Sequence, residues 1–194
     1  VIINSRNSMI WSGELLRDLK RLRMIAVCGI GADKIDLETA RSLGIIVSNV
    51  PGKTAPIVAE HALGLMLGVA KRMAFQTAAL RSGVWAKMHN VFLRGKTLGV
   101  VGTGATGACM IQLGLAIGMN VVAWTFHPSP DRAASLGVPY VELDELLESS
   151  DVVSLHLKLT AESRNFIGED RISRMKRGSI LVNVARGGLV ETDA

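Results

Sequence analysis

The sequence has few aromatic residues and few cysteines. Its 194 residues include four Phe, three Trp, one Tyr and two Cys, the cysteines standing at positions 28 and 109. Two distant cysteines do not form the disulfide framework that stabilises small secreted domains, so we expect a reducing, cytoplasmic compartment. Apolar residues flank both cysteines, which indicates inert core thiols. A hydrophobic content of 48% excludes a disordered chain.

Charge is missing from residues 97–126, a stretch long enough to raise the question of a membrane span. Six glycines interrupt it, and its periodicity changes from strand to helix to strand. Strands of a parallel sheet are covered on both faces and also read as continuous apolar sequence. We therefore interpret this stretch as a buried βαβ unit and predict no membrane association.

The net charge is +5, and basic residues concentrate at 17–23 and 171–177. These runs are typical of solvated helix faces, and they also favour the attraction of anionic ligands. No aromatic residues alternate with them, so nucleic acid is not an expected partner.

Two alternating α/β segments follow one another along the chain. Strands are predicted at 1–4, 24–28 and 45–49 with helices at 12–20 and 36–44, and this βαβαβ order favours a parallel sheet. Three strands are few for a stable parallel sheet. The sequence also begins directly in a predicted strand at Val1, with no initiator Met or signal peptide, so we expect that further residues precede Val1 in the protein. The predicted domains are residues 1–50 and 51–194.

The second segment opens with a predicted long helix over 56–83, followed by an extended arm over 84–95. The helix has little polar surface, so it packs in the core, between domains or against a second copy of the chain; a homodimer is the expectation. Further strands are predicted at 97–102, 120–124, 151–157 and 179–184, separated by helical segments. This pattern predicts a doubly wound parallel sheet of the Rossmann type, incomplete at its C-terminus.

A glycine motif, VVGTGATG, joins the strand at 97–102 to the next helix. Gly102 permits the tight turn, Gly104 lets the backbone approach a pyrophosphate, and Gly107 lets the helix pack on the strand. The amides of Ala105 and Thr106 then face the phosphates at the positive end of the helix. The motif predicts a dinucleotide site, and no metal site is predicted.

The residue expected to hold the adenosine ribose is not the usual acid. Thr125 stands at the end of the second strand, and no carboxylate occurs before Asp131. A hydroxyl can still bond a ribose oxygen, which favours NAD. Without the carboxylate, repulsion of a 2′-phosphate is lost and His127 or Arg132 can attract it, so NADP stays an alternative.

Five stretches in order resemble the D-isomer-specific 2-hydroxyacid dehydrogenases, a family that includes phosphoglycerate, glyoxylate/hydroxypyruvate and D-lactate dehydrogenases. They are GIGADKID, VAEHALGLML, GKTLGVVGTGATG, LDELLESSDVVSLHLKLT and MKRGSILVNVARGGLVE. The resemblance implies a smaller, flavodoxin-like substrate domain, of which 1–50 is a part, before the Rossmann domain.

By this resemblance Arg186 is the catalytic arginine, which binds the keto acid's carboxylate and carbonyl oxygen and polarises the carbonyl for hydride transfer. The backbone of Ile30 and Gly31 meets the substrate carboxylate. Thr54 falls near the phosphates. The remaining positions that line the cofactor site are Leu157, Lys158, Ser163, Val184 and Ala185.

The chain departs from the family in three places. Lys158 replaces a usual proline, Thr125 replaces the usual acid, and the family's histidine–glutamate acid/base pair lies beyond the arginine motif. His156 matches a wall residue of the cofactor site rather than the proton donor, and His61 and His89 are interpreted as packing or surface residues.

The predicted function is therefore hydride transfer between NAD(P)H and C2 of a small 2-keto/2-hydroxy acid, by a chain that is a fragment and inactive alone. The main alternative is a non-catalytic, dinucleotide-sensing module like the family's corepressor relatives. A regulatory domain of a transporter is a weaker one, because such a domain needs no GIGADKID loop.

Overall fold

The computed structural model describes residues 1–5 and 9–193. All strand pairs in its two sheets are parallel. The chain divides into two compact units, Val1–Thr54 and Ala55–Ala194, each with its own sheet. The predicted α/β class with a Rossmann-type unit is confirmed.

The first unit is a three-stranded sheet of order β1-β2-β3, formed by Ile2–Ser5, Met24–Cys28 and Ile46–Ser48. Two short helices connect the strands, α1 (Gly13–Asp18) and α2 (Leu37–Ser42). Each begins at a side-chain cap: the Ser12 hydroxyl accepts the Leu15 N–H, and the Asp36 carboxylate accepts the Thr39 N–H. Such caps satisfy amides that lack partners inside the helix. The unit's core centres on Trp11, Leu16, Ile25, Val27, Ile35, Ala40 and Ile45.

The second unit is a four-stranded sheet of order β5-β4-β6-β7. Its strands are β4 (Thr97–Val101), β5 (Asn120–Trp124), β6 (Val152–Leu155) and β7 (Ile180–Asn183). Its helices are α3 (Ala55–Ala70), α4 (Met73–Arg81), α5 (Ala105–Ala116), α6 (Pro130–Leu136), α7 (Leu143–Ser149) and α8 (Glu169–Arg174), and a 3₁₀ turn covers Gly187–Leu189.

Side chains of this sheet alternate between two cores, one on each face. Leu98 and Val100 pack into a cluster with residues of α3 and α5, including Met66 and Met110. Val101, Val153 and Leu155 pack on the other face with residues of α7 and of the segment that follows β6. A sheet covered on both faces explains the continuous apolar sequence of 97–126. Among the described residues, no helix has the length and apolarity that a membrane crossing requires.

The prediction of one continuous helix over 56–83 is wrong, because the helix is interrupted between α3 and α4. Arg72 adopts a left-handed conformation with φ of 51°. The Ala70 carbonyl accepts the Val91 N–H at 2.8 Å, and the Lys71 ammonium and Arg72 guanidinium donate to the Val91 and His89 carbonyls. The arm thus satisfies groups at the end of α3, where a helix has unpaired carbonyls, and the helix stops there.

Other boundaries differ from the predictions by a few residues. The strand predicted over 151–157 ends at Leu155, although the His156 N–H still donates to the Val101 carbonyl. A side-chain cap also begins α6: the Ser129 hydroxyl accepts the Arg132 N–H, with Pro130 in the first turn.

Candidate functional site

The three glycines between β4 and α5 occupy three different environments. Gly102 has a φ of 96°, and a Cβ there would lie 2.9 Å from the backbone of His156. A Cβ on Gly107 would lie 1.9 Å from the Gly102 carbonyl oxygen, so the helix packs on the turn at a distance that only glycine allows. A Cβ on Gly104, in contrast, would meet no atom within 4 Å.

Gly104 is the N-cap of α5, a helix of 12 residues, and no side chain caps the helix start. Ala105 is exposed and Thr106 is half-buried. The first amides of a helix carry a partial positive charge and bind anions. Open space above Gly104 and an uncapped helix start together make a surface on which a phosphate group can lie.

Arg186 lies just beyond β7, in a corner of the backbone fixed by Asn183. The Asn183 side-chain amide donates to the Arg186 carbonyl at 2.8 Å, and its amide oxygen accepts the Ala185 N–H at 3.1 Å. The Arg186 guanidinium donates to the Ala185 carbonyl at 2.8 Å. The arginine therefore stands on a backbone that is hydrogen-bonded at several points.

A cleft of about 540 Å³ lies between this corner and α3. Arg186 contributes its cation, and Val184 and Ala185 line the same wall. The helix wall consists of Ile57, Val58, His61 and Leu65. The cleft therefore joins a fixed cation to a mostly apolar wall that carries one imidazole, an arrangement suited to a small organic anion.

The glycine loop and the Arg186 corner lie at the same edge of one sheet. Both follow the carboxyl ends of parallel strands, β4 and β7, which are separated only by β6. In open parallel sheets this edge is where ligands bind. The structure thus brings the predicted phosphate-binding and arginine positions to one edge.

Comparison with known proteins gives consistent results. Residues 63–194 match the family model described as D-isomer specific 2-hydroxyacid dehydrogenase, NAD binding domain. The chain is 42% identical to hydroxypyruvate reductase of Thermotoga maritima and 37% identical to glyoxylate reductase of Thermococcus litoralis, over 94% and 93% of its length. D-lactate dehydrogenase of Aquifex aeolicus, solved with NAD and lactic acid, is 36% identical with a TM-score of 0.88 over 99% of the chain.

The chain belongs to the D-isomer specific 2-hydroxyacid dehydrogenase family. It spans 60%, 57% and 58% of the lengths of these three relatives. Most of the second unit is the family's NAD-binding domain, and NAD is the cofactor of that domain. The comparisons lend no support to the corepressor alternative.

The residues of the glycine loop fit NAD. A pyrophosphate needs backbone amides, a positive helix end and freedom from side chains, and the segment from Gly104 to Thr106 supplies all three. The binding of the pyrophosphate by these residues stays a prediction, with which the open space at Gly104 is compatible.

Thr125, the position expected at the ribose, follows β5 beside an aromatic cluster. The Trp124 and Phe126 rings lie 4.9 Å apart between centroids, and both pack on Phe166. Arg171 stacks on Phe166 and donates to its carbonyl. The aromatic packing fixes the end of β5, and Thr125 is half-buried there.

The loop after β6 contains the other predicted cofactor positions. Leu157 is buried, and its Cδ2 atom would lie 3.0 Å from a Cβ on Gly102, so it packs beneath the glycine turn. Ser163 is 1% exposed, and its hydroxyl donates to the Lys158 carbonyl at 2.6 Å and accepts the Thr160 N–H at 2.8 Å. Ser163 therefore holds the loop in shape, while Lys158 is exposed.

Ile30 and Gly31, the predicted substrate-carboxylate positions, belong to the first unit. They lie in the loop after β2 and are half-buried. The Asn49 side chain donates to the Ile30 carbonyl at 2.8 Å, and the Val50 N–H donates to the Gly29 carbonyl at 3.0 Å. The segment after β3 thus holds the start of this loop.

His156 directly follows β6, and its backbone lies beside the glycine turn. Burial lowers its pKa to about 4. Its Nε2 atom lies 2.9 Å from the Ser154 hydroxyl, and its buried Nδ1 atom has no hydrogen-bond partner among the described residues. The ring carries no charge at neutral pH.

Sequence reasoning missed several residues of this site. His61 lines the Arg186 cleft, Asn183 fixes the arginine's backbone, and Tyr140 contacts the glycine loop. Asn183 had a detectable signal, since it lies three residues before Arg186 in a motif of the family. His61 had a similar signal, since it belongs to the family stretch VAEHALGLML, whereas Tyr140 had none, because it reaches the glycine loop only through packing. Within residues 1–5 and 9–193, no three His, Cys, Asp or Glu side chains gather as metal ligands.

Proposed function

We propose that this chain carries the cofactor-binding domain and the substrate arginine of an oxidoreductase. The reaction is hydride transfer between NAD(H) and C2 of a small 2-keto/2-hydroxy acid. The supporting observation is the position of Arg186, in a cleft at the sheet edge that also carries the glycine loop. Similar proteins are named for hydroxypyruvate, glyoxylate and lactate, which are acids of this class.

Arg186 contributes both binding and catalysis. Its forked guanidinium is suited to hold the acid's carboxylate and carbonyl oxygen together. Negative charge develops on that oxygen when hydride arrives at C2, and a fixed cation beside it lowers the barrier. A bound nicotinamide supplies or accepts the hydride. The apolar residues Ile57, Val58 and Leu65 line the wall opposite this cation.

The reduced oxygen also needs a proton. On this proposal the proton comes from the family's histidine–glutamate pair, which lies beyond the arginine motif. His156 is unsuited to the role, because its pKa of about 4 leaves the ring uncharged at neutral pH. The 194-residue chain should therefore bind the dinucleotide without turnover.

The first unit is proposed to be part of the substrate domain. There the backbone of Ile30 and Gly31 would meet the substrate carboxylate, as the resemblance implies. The roles at the cofactor that the resemblance implies are proposed for Thr54, Leu157, Lys158, Ser163, Val184 and Ala185.

NAD is the proposed cofactor, with the Thr125 hydroxyl bonding the adenosine ribose. The alternative is NADP, with the 2′-phosphate near His127 and Arg132. His127 is exposed, but the Arg132 guanidinium donates to the backbone carbonyl of Thr103. Part of its hydrogen-bonding capacity is therefore used within the protein, which favours NAD.

The proposed partner is a second copy of this chain. The α4 helix and the arm expose large apolar side chains, including Phe75 at 52%, Trp85 at 77% and Phe92 at 68%. Exposed apolar residues of this size are typical of protein interfaces. Sedimentation equilibrium tests this: a dimer is expected, and a monomer at micromolar concentration contradicts it.

A cytoplasmic location and the absence of nucleic-acid binding complete the proposal. Cys28 and Cys109 are both free thiols, which suits a reducing compartment. The core position predicted for Cys28 is wrong, because this residue at the end of β2 is exposed.

Titration with NADH and NADPH tests the cofactor assignment. Energy transfer from the tryptophans to the reduced nicotinamide reports binding to the purified chain. Saturable binding with NADH preferred supports the proposal, a preference for NADPH favours the 2′-phosphate alternative, and binding of neither contradicts it. Reduction of glyoxylate or hydroxypyruvate by the chain alone would contradict the assignment of the proton donor.

A further inference from the structure

Thr103, the residue between the first two glycines, is held from two sides. Its hydroxyl lies 2.8 Å from the Tyr140 hydroxyl. Its backbone carbonyl accepts the Nε–H of Arg132 at 3.1 Å and a second N–H from the same guanidinium. Thr103 is only 4% exposed. Both partners lie far along the chain, Arg132 at 29 residues and Tyr140 at 37.

Both partners are themselves anchored beside β5. Arg132 lies in the first turn of α6, which Ser129 caps. The Tyr140 segment pairs with β5, where the Ala123 N–H donates to the Pro139 carbonyl and the Val141 N–H donates to the Ala123 carbonyl, each at 3.0 Å. The two contacts therefore tie the glycine turn to the neighbouring strand and helix.

The turn needs such restraint because glycine stands on both sides of Thr103. Glycine loses more conformational freedom on ordering than any other residue. A turn that is already ordered before the ligand arrives avoids much of the free-energy cost of ordering it on binding. Fixing both the carbonyl and the hydroxyl of Thr103 orients the adjoining peptide of Gly104, at the start of α5.

We propose that Arg132 and Tyr140 are positioning residues that preorganise the glycine turn for the dinucleotide pyrophosphate. This inference rests on dinucleotide binding as given under the proposed function, and it is independent of the keto-acid substrate. It assigns Arg132 a role in binding NADH and NADPH alike, because both cofactors carry the pyrophosphate.

The test compares Arg132→Met, Arg132→Lys and Tyr140→Phe with wild type. The control is Arg177→Met, which removes the same charge at an exposed position outside the loop. Dissociation constants for NADH and NADPH are measured by energy transfer. Hydrogen exchange of the 102–107 backbone is measured without ligand, and Tm reports global stability.

Arg132→Met should weaken NADH and NADPH binding equally, each by about tenfold, and Tyr140→Phe by about threefold. Backbone exchange at 102–107 should accelerate in both variants. Arg132→Lys should be intermediate, because an ammonium cannot reproduce the guanidinium's two N–H contacts. Arg177→Met should match wild type in affinity and exchange.

Several outcomes would overturn the inference. One is NADH affinity within twofold of wild type in both Arg132→Met and Tyr140→Phe. Another is a loss of affinity for NADPH alone, which would assign Arg132 to a 2′-phosphate. A third is an equal loss of NADH affinity in Arg177→Met, which would indicate a general electrostatic effect. If Arg132→Met does not fold, the inference is tested by Tyr140→Phe, which removes a single oxygen atom and so changes the packing least. Failure of wild type to bind either cofactor would refute the proposed function together with this inference, and so differs from the other outcomes.

Discussion

The Asn183 side chain spans the backbone corner that carries Arg186, donating to the Arg186 carbonyl at 2.8 Å and accepting the Ala185 N–H at 3.1 Å. One amide thus satisfies two backbone groups and sets the direction in which the arginine leaves β7. Catalysis depends steeply on such positioning, because a displacement of about 1 Å can cost on the order of a hundredfold in rate.

Replacement of Asn183 by Ala should lower kcat/KM of the intact dehydrogenase by about tenfold or more, a larger effect than its effect on NADH affinity. The expected loss arises from a misplaced Arg186, and the glycine loop lies on a different strand. Asn183→Asp is the matched comparison, since it keeps the acceptor for Ala185 and loses the donor to Arg186. Unchanged kcat/KM in both variants would contradict the positioning role.

Two glycine variants should each lose NADH affinity, for different physical reasons. Gly107→Ala places a Cβ 1.9 Å from the Gly102 carbonyl, so it should lower both Tm and NADH affinity. Gly104→Ala meets no protein atom within 4 Å, so Tm should hold while NADH affinity falls by about tenfold or more, because the methyl group occupies the space of the pyrophosphate. Thermal melts and NADH titrations check both. Full NADH affinity in Gly104→Ala would exclude this loop as the phosphate site.

His61 should contribute to binding of the substrate and not to binding of the cofactor. It faces the cleft that contains Arg186, and the other residues contributed by α3 to that cleft are apolar. His61→Asn replaces the imidazole by a shorter amide with less reach into the cleft, so the KM for the keto acid should rise about threefold to tenfold with unchanged NADH affinity. The control is His89→Asn in the exposed arm. Equal kinetics in the two variants would restrict His61 to packing.

His156 should make the second unit less stable as the pH falls. Its folded pKa is about 4 and its ordinary value is 6.5, so between these pH values the unfolded chain binds more protons than the folded one. Stability therefore rises with pH across this window and is lost as pH drops below about 6.5. His156→Gln removes the titrating group, and its Tm should decline less between pH 7 and pH 5 than that of wild type. Parallel Tm profiles would show that His156 is not responsible.

Much of the fold could be predicted from local sequence. The strand at 97–101 is apolar because the sheet is covered on both faces, and the glycines that follow it stand where a turn and a helix start require them. Caps at Ser12 and Ser129 are local interactions and were predictable for the same reason. The interruption between α3 and α4 was not, because the groups that end α3 come from the arm about 20 residues later.

The sequence by itself determined the alternation of strands and helices, the glycine turn and the presence of an arginine after β7, since each depends on neighbouring residues. Tertiary structure alone decided which distant residues contact the glycine turn and the arginine. Arg132, which the sequence offered as a ligand for a phosphate, instead donates to the Thr103 carbonyl, and His61 faces the Arg186 cleft. The physical reason is that packing of α3 and α6 around the sheet sets these contacts, and no periodicity within either helix specifies its neighbour.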